Sequence, residues 1–177
     1  MTQGVLMASL DPVVSGDHLR DQSKLRQLYG RYPTGVAAVC ALRDGEPVGI
    51  VATSFTSVSL EPAIVSICVQ HTSQTWPMLS ADGGRIGVSV LASTHQDVCL
   101  QIAGRREERF TGVPWFAGNS TSVFLSDAAA WLDCAISRSI KAGDHDVVLL
   151  EVRSAAVNEA VAPLVFHDSH FHTLTAR

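Results

Sequence analysis

The 177-residue chain has room for one ordinary domain with its own core and not comfortably for two. Its residues are 46% hydrophobic and 17% charged, which argues against disorder and for surface buried against another subunit. A net charge of −4, no basic block and no apolar run of membrane-spanning length leave nucleic acid and membrane as poor partners.

Residues 1–16 read as a mobile arm, and residues 17–177 as the domain. The N-terminus has no Lys or Arg before its weak apolar patch, so it is not a convincing signal peptide. Cys40, Cys68, Cys99 and Cys134 are far apart, mostly in apolar runs, and form no CxxC pair. Buried free thiols in a reducing cytoplasm are the expectation.

Leu25, Leu28 and Tyr29 recur at helical spacing between Asp21 and Gly30, which predicts a short amphipathic helix. Val36 to Leu42 is a compact apolar strand. Asp44-Gly45 signals a tight hairpin, because both residues tolerate positive φ. Pro47 to Ala52 is the returning strand. It delivers the chain into a hydroxyl-rich segment, Thr53-Ser54-Phe55-Thr56-Ser57-Val58-Ser59-Leu60, ahead of Glu61-Pro62. Ala63 to Gln70 is a third strand, apolar enough to predict cover on both faces. Thr75-Trp76-Pro77 reads as a helix start, with Thr75 as cap and Pro in the first turn. That helix ends near Gly83-Gly84.

Arg85 to Ala92 is a fourth strand. Ser93-Thr94 reads as the cap of a helix over His95 to Ala103 that buries Val98, Cys99 and Ile102. A charged loop, Arg105 to Arg109, leads into an irregular Gly, Pro and aromatic segment to Ser120. Strands follow at Val123–Leu125, Trp131–Lys141, Asp146–Val157 and Pro163–His167, with a last piece around Phe171. Many short strands joined by turns, with few helices, favour an all-β barrel with helical insertions over an alternating doubly wound sheet. Neither GxGxxG after a first strand nor GxxxxGK is present.

Several of these pieces occur together in one family. They are Tyr32-Pro33-Thr34-Gly35-Val36, Pro47-Val48-Gly49, Thr53 through Pro62, Ser73-Gln74-Thr75-Trp76-Pro77, Arg109-Phe110, Ala130-Trp131-Leu132-Asp133-Cys134, Gly143-Asp144-His145 and Pro163-Leu164-Val165-Phe166. In order and approximate spacing, from Leu28 to Leu174, the chain resembles the flavin reductase family, the reductase components of two-component flavin monooxygenases. The resemblance implies a mainly β, split β-barrel fold that binds FMN, or in some members FAD, at a homodimer interface. It implies NADH or NADPH as co-substrate and a separate monooxygenase as recipient of the reduced flavin.

Hydride transfer from nicotinamide C4 to flavin N5 is carried by the cofactors, so binding groups rather than a catalytic triad are expected. By resemblance, Val51, Ala52, Thr53, Ser54 and Phe55 line the isoalloxazine edge, with Ser57 and Cys68 near it. The resemblance gives the phosphate to Ser73 and Thr75, with Thr72 also a cofactor-binding residue. Read without the resemblance, Thr75 caps a helix and Ser57 satisfies a strand edge. Arg106 and Arg109 are the nearby cations; Arg106 is the phosphate candidate, against the alternative of a solvated charged loop. Phe110 packs on the flavin or anchors the loop.

His145, in its Gly-Asp-His turn, is the catalytic candidate: the resemblance implies that it lies by the nicotinamide site, where a neutral imidazole would hydrogen-bond the carboxamide or the flavin, against the alternative of a solvated turn histidine. Asp144 is read as a turn residue. His167, His170 and His172 beside Asp168 have spacings that suit a metal, but they lie at a chain end, and no metal is expected. This segment departs from the family, which commonly carries an aromatic, often Tyr, after the last strand. Two other functions stay open: a flavin-binding barrel without turnover (carrier, sensor or partner subunit) and, more weakly, a pyridoxal phosphate oxidase.

Overall fold

The computed structural model describes residues 21–104 and 108–174. The arm expected over residues 1–16 lies outside them, as does Arg106. Helix α1 (Gln22–Tyr29) begins at Asp21, whose carboxylate accepts the amides of Ser23 at 3.0 Å and Lys24 at 3.4 Å. These are two of the donors that a helix N-terminus leaves without a partner. No residue of α1 is buried, and Leu28 and Tyr29 are exposed. The apolar stripe seen in the sequence is thus only partly covered among the described residues, with Leu25 half-buried.

After β1 (Thr34–Gly35), strands β2 (Ala37–Arg43) and β3 (Glu46–Ala52) form a hairpin. Its turn residues Asp44 and Gly45 have φ of 52° and 84°, the pair of positive angles that an Asp-Gly turn supplies. Next come β4 (Thr56–Leu60), β5 (Ala63–Gln70), α2 (Trp76–Ser80), β6 (Arg85–Val90) and α3 (Gln96–Ala103). Then follow β7 (Trp115–Ala117), β8 (Val123–Leu125), β9 (Ala130–Ala142), β10 (His145–Val157), β11 (Leu164–His167) and β12 (His170–Thr173).

Seven strands form one antiparallel sheet in the order β3-β2-β6-β9-β10-β5-β4. One buried cluster joins its two ends. Ala52 of β3 packs with Val65, Ile67 and Val69 of β5, and with Ile86, Val88, Cys134, Val148 and Leu150 between them. A flat sheet could not bring these residues together, so the sheet curls on itself as the expected split barrel. Truncating a fully buried member such as Ile86 to Ala would cost roughly 2–5 kcal/mol.

Strand β2 is buried on both faces. Ala37 and Val39 face the barrel interior, while Ala38 and Cys40 join a second cluster with Leu91, Ile102, Val123, Leu125 and Leu164. This is the two-residue alternation of a strand covered on each side. Gly87 of β6 allows that second layer to close, because a Cβ there would lie 2.1 Å from the Val123 carbonyl oxygen.

Several local expectations are corrected. Thr56–Leu60 of the hydroxyl segment is an edge strand, with Val58 and Leu60 exposed. The two faces of β5 are not both covered: Cys68 is exposed, while Cys40, Cys99 and Cys134 are buried. Burial pushes those three thiols up to about 12, 11 and 12 respectively. Val98 of α3 is only half-buried. The piece around Phe171 is a full strand, β12, paired with β11 through a turn at Asp168 and Ser169 (φ 49° and 64°) that contains no glycine. Asp168 forms an ion pair with Arg31 at 3.3 Å. Among the described residues, no group of three His, Cys, Asp or Glu side chains is placed to hold a metal.

Candidate functional site

The ends of β3 and β5, the loop before α2 and the tip of the β9–β10 hairpin surround a cavity of about 860 Å³. Of the residues expected at the site, Val51, Ala52, Thr53, Ser54, Cys68, Thr72, Ser73, Thr75 and His145 line it. Phe55 packs against the barrel core instead. Ser57 pairs with Val65 in the sheet, and neither it nor Phe55 is among the lining residues. Gln70, Gln74 and Arg109 line the cavity without having been chosen as site residues.

Hydrogen bonds give the walls their shape. The Ser54 hydroxyl accepts the Cys68 amide at 2.8 Å and donates to the Cys68 carbonyl at 3.3 Å. It thereby pins the end of β3 to β5 across the cavity, and one lone pair is left for a ligand. Ser73, not Thr75, caps α2: its hydroxyl accepts the Trp76 amide at 3.2 Å. Thr75 has helical backbone angles and makes no cap bond. Its hydroxyl instead accepts from the Arg109 guanidinium at 2.9 Å.

Arg109 is half-buried, and it also reaches the Gly49 carbonyl at 3.5 Å. Both partners are neutral, and among the described residues no carboxylate pairs with it. A partly desolvated cation with only neutral partners favours an anion beside it. Arg109, Thr75 and Ser73 therefore suit a phosphate at this end of the cavity.

Two histidine–carboxylate pairs sit side by side at the tip of the β9–β10 hairpin and the end of β5, where His145 lines the cavity. Asp144 Oδ1 lies 2.7 Å from His145 Nδ1, and Asp146 Oδ1 lies 2.8 Å from His71 Nε2. Asp146 also accepts the Ser139 hydroxyl at 2.8 Å. The His145 hydrogen bond holds the Asp144 carboxyl below its ordinary value. The His71 bond, followed by that of Ser139, does the same for Asp146. An ionised Asp144 assigns the proton to Nδ1 of His145 and leaves Nε2 free for a ligand. The His71 amide donates to the Asp144 carbonyl at 2.9 Å, which ties the hairpin tip to the end of β5. The Gly-Asp-His turn places Gly143 at φ 65°, in the left-handed region.

A second cavity of about 700 Å³ adjoins the first, and Thr75 and Arg109 line both. Phe110 belongs to this second cavity. Its ring lies close over Gly49, where a Cβ would come within 2.9 Å of Cζ. The aromatic wall depends on that missing side chain.

The arrangement agrees with comparisons to known proteins. Residues 29–175 match the family model described as "Flavin reductase like domain". A probable flavin reductase from Rhizobium meliloti (strain 1021) is 37% identical over 130 residues, covering 73% of this chain and 42% of its own length. The reductase subunit of a flavin-dependent monooxygenase from Rhodococcus jostii (strain RHA1) is 31% identical, covering 85% of this chain and 77% of that protein. A solved Streptomyces globisporus C-1027 NADH:FAD oxidoreductase, in complex with NAD and FAD fragments, superposes with a TM-score of 0.83 at 34% identity. That match covers 88% of this chain and 94% of that one. With fold and sequence in agreement, the chain belongs to the flavin reductase-like family.

Proposed function

We propose that this protein is an NAD(P)H-dependent flavin oxidoreductase that binds FMN or FAD and passes reduced flavin to a separate monooxygenase. One observation carries the reading: a single cavity is lined by both the anion-seeking Arg109–Thr75 pair and His145, whose Nδ1 is engaged by Asp144. A flavin held there would supply the hydride acceptor, and a reduced nicotinamide the hydride. The chain's part is to hold and orient. Val51 through Ser54 and Cys68 flank the ring, and the short side chains allow close approach. Thr72, Ser73, Thr75 and Arg109 receive the phosphate. His145 bonds the nicotinamide side through Nε2. Phe55 and Ser57 support the site from the core and from the sheet edge.

The delivery of reduced flavin to a monooxygenase is supported by the relative named as a reductase subunit of such an enzyme. We also infer a homodimer. Leu60 is 95% exposed on the edge strand β4, Val58 beside it is exposed, and α1 has no buried residue. An edge strand with bare apolar side chains invites cover by a second copy. Light scattering should return twice the 18.9 kDa chain mass. A cytoplasmic location is supported by the three buried free thiols.

The direct test is anaerobic. Purified protein with excess FMN or FAD should bleach the flavin absorbance band on addition of NADH or NADPH, many equivalents per chain. Flavin that binds but is not reduced catalytically would make the protein a carrier or sensor instead.

A further inference from the structure

His71, the residue after β5, holds both chain neighbours of His145. Its amide donates to the Asp144 carbonyl at 2.9 Å, and its ring Nε2 lies 2.8 Å from Asp146 Oδ1. One residue therefore brackets His145, once through its backbone and once through its side chain. Ser139 of β9 donates to the other oxygen of Asp146 at 2.8 Å, so Asp146 links β9 to the end of β5. Successive residues of a strand point to opposite faces. His145 lines the flavin cavity, whereas His71, Asp146 and Ser139 are not among its lining residues.

The hairpin tip that carries His145 is an outlying arm. Strand β9 pairs with β6 only as far as Ala135. Beyond that point β10 is the one ladder partner of β9 among the described residues, and residues 137–142 are all exposed. The ladder that ties β10 to β5 ends at the pair His145–Gln70. A terminal pair at an exposed tip opens more readily than one inside a sheet. Opening here would turn His145 away from the cavity wall, and a binding group acts only while it is held in place. The bonds made by His71 lie one residue to either side of that last pair.

We propose that His71, Asp146 and Ser139 form a latch, on the face of β10 away from the cavity, that positions His145 for the nicotinamide. The proposal rests on the reading of His145 given above. The three are positioning residues, because they reach the substrate only through His145. The latch governs nicotinamide binding and leaves flavin binding as it is.

The test is steady-state kinetics of the full chain at saturating FMN or FAD with the better of NADH and NADPH, together with flavin dissociation constants read by fluorescence. His71→Ala and Asp146→Ala should each raise the Michaelis constant for the nicotinamide about three- to tenfold, the loss expected for a hydrogen bond. Both should leave kcat within about twofold, the signature of lost substrate binding. The flavin dissociation constant should also stay within about twofold, which reports an intact barrel. His71→Gln places an amide nitrogen near the position of Nε2, and Asp146→Asn keeps two polar contacts; each should recover most of the loss. In a His145→Ala background, His71→Ala should change the Michaelis constant by less than about twofold, since its effect passes through His145. Two effects that multiply in full would make His71 an independent structural contact and overturn the proposal. So would an unchanged Michaelis constant in both single latch variants, or a flavin constant that rises alongside it. No turnover, or an unchanged constant in His145→Ala alone, removes the nicotinamide reading and the latch with it. A raised constant in His145→Ala beside unchanged latch variants removes the latch alone.

Discussion

The Arg109 guanidinium donates to the Thr75 hydroxyl at 2.9 Å, joining two loops 34 residues apart at the boundary of the two cavities. Removing this cation should weaken FMN binding. A hydrogen bond to a charged group contributes roughly 1.5–3 kcal/mol, so Arg109→Ala should raise the FMN dissociation constant by about ten- to a hundredfold. Arg109→Lys should recover part of the loss, because it keeps the charge without the planar fork. Riboflavin, which lacks the phosphate, is the control. If Arg109→Ala weakens riboflavin as much as FMN, the phosphate assignment is wrong.

Arg43 acts on the same end of the site from behind. Its guanidinium donates to the carbonyls of Met78, Leu79 (2.7 Å) and Ala81 (3.1 Å), gathering the C-terminal end of α2. Those acceptors have few other partners once the helix stops. Arg43→Ala should lower stability by about 1–3 kcal/mol, read by urea denaturation. It should also raise the flavin dissociation constant, since Ser73 and Thr75 lead directly into α2. Unchanged flavin affinity in a destabilised variant would leave Arg43 a purely structural residue.

On the proposed reading, His145 serves the nicotinamide and not the flavin. Its Nδ1 is engaged by Asp144, so only Nε2 remains for the nicotinamide side. His145→Ala should raise the Michaelis constant for NADH several-fold, on the order of one lost hydrogen bond, while leaving the flavin dissociation constant unchanged. Asp144→Ala should act in the same direction and more weakly. If the flavin constant moves instead, His145 belongs to the flavin.

His95 gives stability a pH dependence. It is buried, and its Nδ1 accepts the Ala92 amide at 3.2 Å, a bond that a protonated ring cannot make. Burial pushes its pKa below the usual 6.5, and Asp127 and the Ser126 backbone oppose that only in part. The unfolded chain therefore takes up this proton first as pH falls. The contribution is complete above about 6.5 and is lost as pH drops from there through the lower folded value, with a slope of at most about 1.4 kcal/mol per pH unit. Denaturation midpoints at pH 7.5, 6 and 5 should fall in that order, and His95→Gln should flatten the trend. A parallel trend in the variant would assign the slope to other groups.

Much of the architecture was legible because alternation and turn chemistry are local. Ala63–Gln70 and Val123–Leu125 begin and end where the pattern placed them, and Asp44-Gly45 announced its hairpin. The Asp168–Ser169 turn was invisible because two non-glycine residues occupy positive φ there. The bounds of strand β4 were not legible in its run of hydroxyls, although Thr and Val suit a strand.

By itself, the sequence determined most of the strands and the all-β barrel class, since alternation and turn chemistry act at short range, and its motifs carried the resemblance that named the stretches around the cavity. Only the tertiary structure decided which members of those stretches face it. It turned Phe55 into the core, left Cys68 open, moved the cap of α2 from Thr75 to Ser73 and brought Arg109 onto Thr75. The reason is geometric. A side chain's direction depends on how the sheet curls and where a distant loop returns, and no local pattern encodes either one.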